Sequence, residues 1–154
     1  MANAQAMTTS FKGELLNAYH NFSATNPART VNTADAFKAA LYLTTATINA
    51  ATTVYTTTGE VSSSGTNYTA GGIAITSWNA PTTSGTTGFT TPTASFVYTS
   101  VTLTSAFNCV LVYNSTQGNR AVSVHTFGDQ TVTSGTFTLT MPTNDASNAL
   151  IRLA

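Results

Sequence analysis

The stretch "CVLVYNSTQGNRAVSVHTF", Cys109 to Phe127, decides the fold. An apolar run ends in a polar loop and a second alternating run follows, so the two runs are predicted to pair as an antiparallel hairpin. Gly118-Asn119 in the loop tolerate the positive φ that such turns need. Working outward, "FVYTSVTLTS" (96–105) precedes the hairpin and "GTFTLTM" (135–141) follows it, each with a period of two. Upstream, "AFKAALYLT" (36–44) alternates Phe37, Ala39, Leu41 and Leu43 against Lys38, Ala40, Tyr42 and Thr44, as a half-buried strand does, with a short helix as the rival reading. "TTVYTTT" (52–58) and "GIAITSW" (72–78) complete the strand candidates. Short strands at this spacing, separated by Gly, Asn, Pro and Ser clusters, predict a mainly β chain: a jelly-roll-like antiparallel two-sheet sandwich forming a single domain over residues 10–154.

The N-terminal end reads differently. Residues 1–9 are polar and aperiodic and are expected to form a flexible arm. Phe11, Leu15, Ala18 and Phe22 then recur at helical spacing, with Leu16 and Tyr19 beside them, which predicts one amphipathic helix capped by Thr9 or Ser10. Gly13 weakens that helix by about 1 kcal/mol, so its packing must hold it. Asn26-Pro27 signals a turn after it. Gly71-Gly72, in "YTAGGIAIT", reads as a turn or bulge entering a strand. The stretch 79–95, "NAPTTSGTTGFTTPTAS", is expected to be a long loop and a contact surface.

Composition excludes whole classes of function. Only 6% of residues are charged, the formal net charge is zero, and the charges are scattered singly. There is no basic field for a nucleic acid. The longest apolar run, Cys109 to Tyr113, is far too short for a membrane-spanning helix. The start lacks the basic and apolar regions of a secretory signal, so synthesis and folding in the cytoplasm are expected. Threonine makes up more than a fifth of the chain. Either β-propensity alone explains this, or threonine supplies a hydroxyl-rich surface that partners can cover without burying charge.

Chemistry-bearing constellations are missing. His20 and His125 lie in different predicted elements and Cys109 sits in an apolar strand, so no metal site and no cofactor are expected. Cys109 alternates with Leu111 and Tyr113 and reads as a small core residue rather than a catalytic thiol. His125 is placed on the face opposite Val122 and Val124, as a partly exposed strand histidine. No nucleophile elbow, phosphate loop or dinucleotide fingerprint occurs, and the carboxylates stand alone, so no catalytic residues are assigned. The sequons at Asn21, Asn67 and Asn114 imply no glycosylation in so Ser/Thr-rich a chain.

Several separated segments, "TSFKGELLNAYHNF", "DAFKAALYLTTATINAATTVYTTTGEV", "NYTAGGIAI" and "LVYNSTQGNRAVSVHTFGDQTVTSGTFTLTMPTNDASNALIRL", together resemble a group of small structural proteins of tailed bacteriophages. The resemblance spans nearly the whole chain and lies in the order of its pieces. It implies a non-enzymatic virion component, made in the host cytoplasm and located on the capsid surface as a decoration or cement protein. Its implied partners are the major capsid protein and copies of itself, as a dimer or trimer. The alternative is a neck, tail or fibre component that binds a receptor or glycan. The 79–95 loop and His125 depart from the pattern. Trp78, Phe89, Tyr68 and Phe11 are the candidate partner contacts, aromatic side chains with enough surface to anchor a neighbour.

Overall fold

A computed structural model describes residues 2–16, 18–23 and 33–154 of the chain. The Asn26-Pro27 turn lies outside the described residues. Strand β6 (Phe96–Asn114) and strand β7 (Arg120–Leu139) form one antiparallel hairpin, whose 19 and 20 residues make a ribbon about 60 Å long. Four expected strands are therefore two: 96–105 runs into 108–114, and 121–127 into 135–141. The intervening polar residues do not end the strands, because register shifts along the ribbon absorb them as bulges. At its turn, Gly118 and Asn119 both take positive φ, as expected. Asn114 closes the loop by accepting the N–H groups of Thr116 and Gln117 on its Oδ1.

Strand β2 (Phe37–Leu43) pairs with β6 on one side and with β3 (Ile73–Ile75) on the other. Strand β1 (Ala6–Met7) adds to β7, which gives a five-stranded sheet of order β1-β7-β6-β2-β3. A second antiparallel sheet of order β4-β5-β8 is built from Thr82–Ser84, Thr87–Thr90 and Ile151–Leu153. The chain is thus mainly β, with two antiparallel sheets in a sandwich-like arrangement and, among the described residues, one short helix, α1 (Thr9–Leu16).

Two hydrophobic layers flank β2. Phe37, Ala39 and Leu41 join Phe11, Phe22, Val110, Val112, Val122 and Ile151 in the main core. Ala40 and Tyr42 join Cys109, Leu111, Tyr113 and Val124 on the opposite face, covered by Ala46, Ile48 and Tyr55. The strand expected to be half-buried is therefore covered on both faces, which explains why both alternating sets are so apolar. Its cover comes from the 44–61 segment, which crosses the sheet without being a strand itself. The expected strand 52–58 makes only one bridge, Val54 with Arg120, because β1 already occupies β7 at Ser123 and Val124.

Other expectations are corrected. Residues 1–9 are not a free arm as far as they are described. Asn3 donates to the Leu43 carbonyl and to Asn108, and accepts the Ile48 N–H, while Thr8 is fully buried and donates to the carbonyl of Ala121. The backbone of β7 offers hydrogen bonds that side-chain periodicity does not report. The helix stops at Leu16 rather than running to Phe22. It ends in paired bonds from Ala18 N–H to the Leu15 carbonyl and from Tyr19 N–H to the Glu14 carbonyl, with Ala18 at φ 53. This is a Schellman closure with alanine where glycine is usual. Neither expected residue sits at the cap, since the helix already begins at Thr9 and Ser10 Oγ is buried without a partner, while Thr8, which precedes the helix, commits its hydroxyl to β7. The 79–95 stretch is no structureless loop either, for it holds the β4-β5 hairpin.

Candidate functional site

Among the described residues no group of three or more His, Cys, Asp or Glu side chains is placed to hold a metal ion. Among these residues no helix is long and apolar enough to cross a membrane. Cys109 is fully buried, and burial pushes its thiol up to about 12, so it stays protonated and unreactive at neutral pH. What the fold does assemble are two polar junctions, an apolar groove, a polar cleft and an uncharged outer face.

The first junction gathers residues from four parts of the chain. Glu14 of α1 is buried, and accepts from His20 Nε2 at 2.8 Å and from Arg120 Nη1 at 2.6 Å. The guanidinium of Arg120 also lies 4.4 Å over the ring of Tyr19. On its other side His20 Nδ1 lies 3.0 Å from Asn114 Nδ2, and the same amide donates to Asp35 at 2.8 Å. Asp35 further accepts the Asn21 N–H and a bond from Gln117. A buried carboxylate is tolerable here because two donors and one full positive charge meet it.

The second junction centres on Glu60, which accepts the Tyr55 hydroxyl at 2.6 Å, the Tyr68 hydroxyl at 2.8 Å and the Gly71 N–H at 2.7 Å. Tyr68 in turn accepts the Leu41 N–H at 2.9 Å, and Tyr113 donates to the Gly71 carbonyl. Burial and the Glu60 charge push the Tyr68 phenol up, so it remains a donor. Gly72 has φ +77, and a Cβ there would sit 1.8 Å from the Ala39 carbonyl oxygen, so only glycine allows the turn to press on β2. The expected glycine turn is present, closed by Gly72 N–H to the Thr69 carbonyl.

The groove, of about 470 Å³, lies between the 11–23 segment and the small sheet, with Phe11, Phe22, Phe89 and Leu153 on its walls. A polar cleft of about 620 Å³ lies near β1 and β8 and holds Ser123 and His125, whose Oγ and Nε2 are 2.8 Å apart. The reading of His125 is corrected in one respect. A bulge between Val112 and Tyr113 sends Val122 into the main core and Val124 into the opposite layer, so His125 does not oppose both. Burial lowers its imidazole to about 4.

The four candidate contacts are not an exposed set. Phe11 is wholly buried and Tyr68 nearly so, the latter tied into the Glu60 junction. Trp78 is half-buried, edge-on to Phe22 and Phe37, with its Nε1–H buried and unpaired. Phe89 is 9% exposed and meets Phe11 only as a wall of the groove. Aromatic size drew all four inward, and sequence pattern in irregular segments gave no face to place them on. The exposed large apolar residues among those described are Tyr19, Val54, Val97 and Leu153.

The outer face is the distal half of the β6-β7 ribbon. Val97, Thr99 and Thr104 are exposed on β6, and Thr131, Thr133, Thr136 and Thr138 on β7. Val97 pairs directly with Thr138. Residues 96–107 and 130–140 contain no Asp, Glu, Lys or Arg. No family model, no curated protein and no solved structure matches this chain.

Proposed function

We propose that this chain is a non-enzymatic structural protein of a tailed-bacteriophage particle that decorates the capsid surface. There it contacts the major capsid protein lattice and copies of itself and stabilises the DNA-filled head. The observation that carries this reading is the uncharged, hydroxyl-rich outer face of the β6-β7 ribbon. A sheet face with no charge can be covered by a neighbour without stranding an unpaired ion, and its threonine hydroxyls can exchange water for a partner's backbone groups. The resemblance of the ordered segments to small virion proteins supports the same reading. Binding to the finished shell alone stabilises it by mass action, and many weak contacts add up over a lattice.

The test is thermal release of DNA from particles depleted of the protein and from particles to which it is restored, at low and high salt. Depleted particles are expected to assemble, to lose DNA at lower temperature and to be rescued by the protein. Salt should change the rescue little, because screening acts on exposed charges that this face lacks. Restoration with a Thr136→Lys protein should fail although the variant folds. Depleted particles that hold DNA normally but do not attach to cells would replace decoration with the receptor-binding reading.

A further inference from the structure

The junction around His20 is satisfied in only one protonation state. Asn114 Oδ1 accepts two backbone N–H groups, from Thr116 and Gln117, which fixes the orientation of its amide. The amide nitrogen must then point at His20 Nδ1 and Asp35 Oδ2, and it donates one hydrogen to each. His20 Nδ1 is therefore an acceptor, and the remaining ring nitrogen, Nε2, carries the hydrogen donated to Glu14. The imidazole is neutral, and its side chain has no exposed surface. Adding a proton to Nδ1 would set N–H against N–H at 3.0 Å, with no water able to intervene.

Among the described residues, the charged groups facing this ring are Glu14 from α1, Asp35 from the segment before β2, and Arg120 from the start of β7. Phe11, Phe22 and Phe37 supply the apolar walls. Burial lowers the imidazole from its ordinary value, against the opposing pull of the Glu14 and Asp35 charges.

We propose that His20 is an acid-operated latch: in its neutral Nε2–H form it holds residues 18–23 against the turn of the β6-β7 ribbon, and its protonation opens that segment while the sheet stays intact. Phe22 packs in the main core, and the segment's polar groups are tied at this junction. Tyr19 N–H is bonded to α1, Asn21 N–H to Asp35, and Arg120 bridges Glu14 and the Tyr19 ring. The same segment lines one wall of the apolar groove through His20, Asn21, Phe22 and Ser23, so opening the latch reshapes that groove. The sign follows from the lowered proton affinity. The open segment takes up a proton near the ordinary histidine value of about 6.5, the closed one only at lower pH, so closure is fully favoured above about pH 6.5 and weakens as pH falls below it. The latch does not depend on the proposed capsid role, since it rests on hydrogen bonds within one chain.

Two measurements test it on the intact protein. Long-range ¹H–¹⁵N NMR of the histidine rings at pH 7.5 reads the tautomer directly, and His20 is expected as neutral Nε2–H. An Nδ1–H tautomer or an imidazolium at that pH overturns the proposal without any variant. Hydrogen exchange of the Tyr19 and Asn21 amides, corrected for intrinsic rates, is then compared at pH 7.5 and 5 with that of Leu111 and Val112. The expected result is a several-fold loss of protection at Tyr19 and Asn21 alone. In His20→Gln, whose amide can still donate to Glu14, that acid response should vanish. If it persists unchanged, it does not come from His20 and the latch assignment is wrong.

Discussion

Replacing Tyr68 by phenylalanine separates a surface contact from an internal tie. The hydroxyl accepts the N–H of Leu41, a residue with no exposed surface, and donates to Glu60. Phenylalanine keeps the ring and its stacking on Tyr98, whose centroid is 6.0 Å away. Only the two hydrogen bonds go. Leaving a buried N–H unpaired costs about 1–3 kcal/mol, and a bond to a charged group contributes about 1.5–3 kcal/mol. Glu60 keeps the Gly71 N–H on the same oxygen, which limits the second loss. The expected destabilisation is therefore about 2–4 kcal/mol, which for a chain of this size lowers Tm by roughly 5–15 °C. Urea unfolding followed by the fluorescence of the single tryptophan, Trp78, measures it, with the m-value unchanged. A double-mutant cycle with Glu60→Gln should return a coupling of about 1 kcal/mol or more. A loss below about 0.5 kcal/mol, the size typical of surface substitutions, would refute the argument that Tyr68 ties the 60–72 segment to β2.

Three further outcomes are expected. Gly72→Ala should leave little soluble folded protein, because its Cβ meets the Ala39 carbonyl at 1.8 Å in a left-handed backbone; normal yield and Tm would show that the turn can move. Ala18→Gly should raise stability by about 1 kcal/mol through relief of φ 53 at the helix end, and a lower Tm would contradict the assigned closure. His125, lowered to about 4 by burial, contributes stability that is complete above about pH 6.5 and is lost as pH falls toward 4, up to about 3 kcal/mol. His125→Val should flatten the fall in denaturation midpoint over that pH range while His20 keeps its own share, and an unchanged slope would count against the assignment.

Periodicity at Cys109 to Phe127 was enough to place the central hairpin, and the alternation in 36–44 was enough for β2. Both rest on local pattern that burial then reinforces. The small core role of Cys109 and the Gly71-Gly72 turn were legible for the same reason. Continuity of the two long strands was not, because a bulge looks like a break when only side-chain period is read. Strand β8 and the β4-β5 hairpin were missed because three or four residues carry too little pattern, and their pairing exists only once distant segments meet.

The candidate site divides along the same line. Low charge and abundant threonine were visible in composition, but which threonines share an outer face depends on the bulged register of β6 with β7. The aromatic residues singled out for contact were large enough to be drawn into the interior, so exposure could not be read from their identity. Glu14, His20, Asp35, Asn114 and Arg120 are scattered over more than a hundred positions and form no motif. They meet because the helix closes at Ala18 and the chain returns across the hairpin turn. The sequence by itself determined a β-rich chain with an almost uncharged surface, since propensity and charge are local properties of residues. Tertiary structure decided which polar groups are buried together and in what protonation state, because desolvation and hydrogen-bond completeness exist only in the assembled fold.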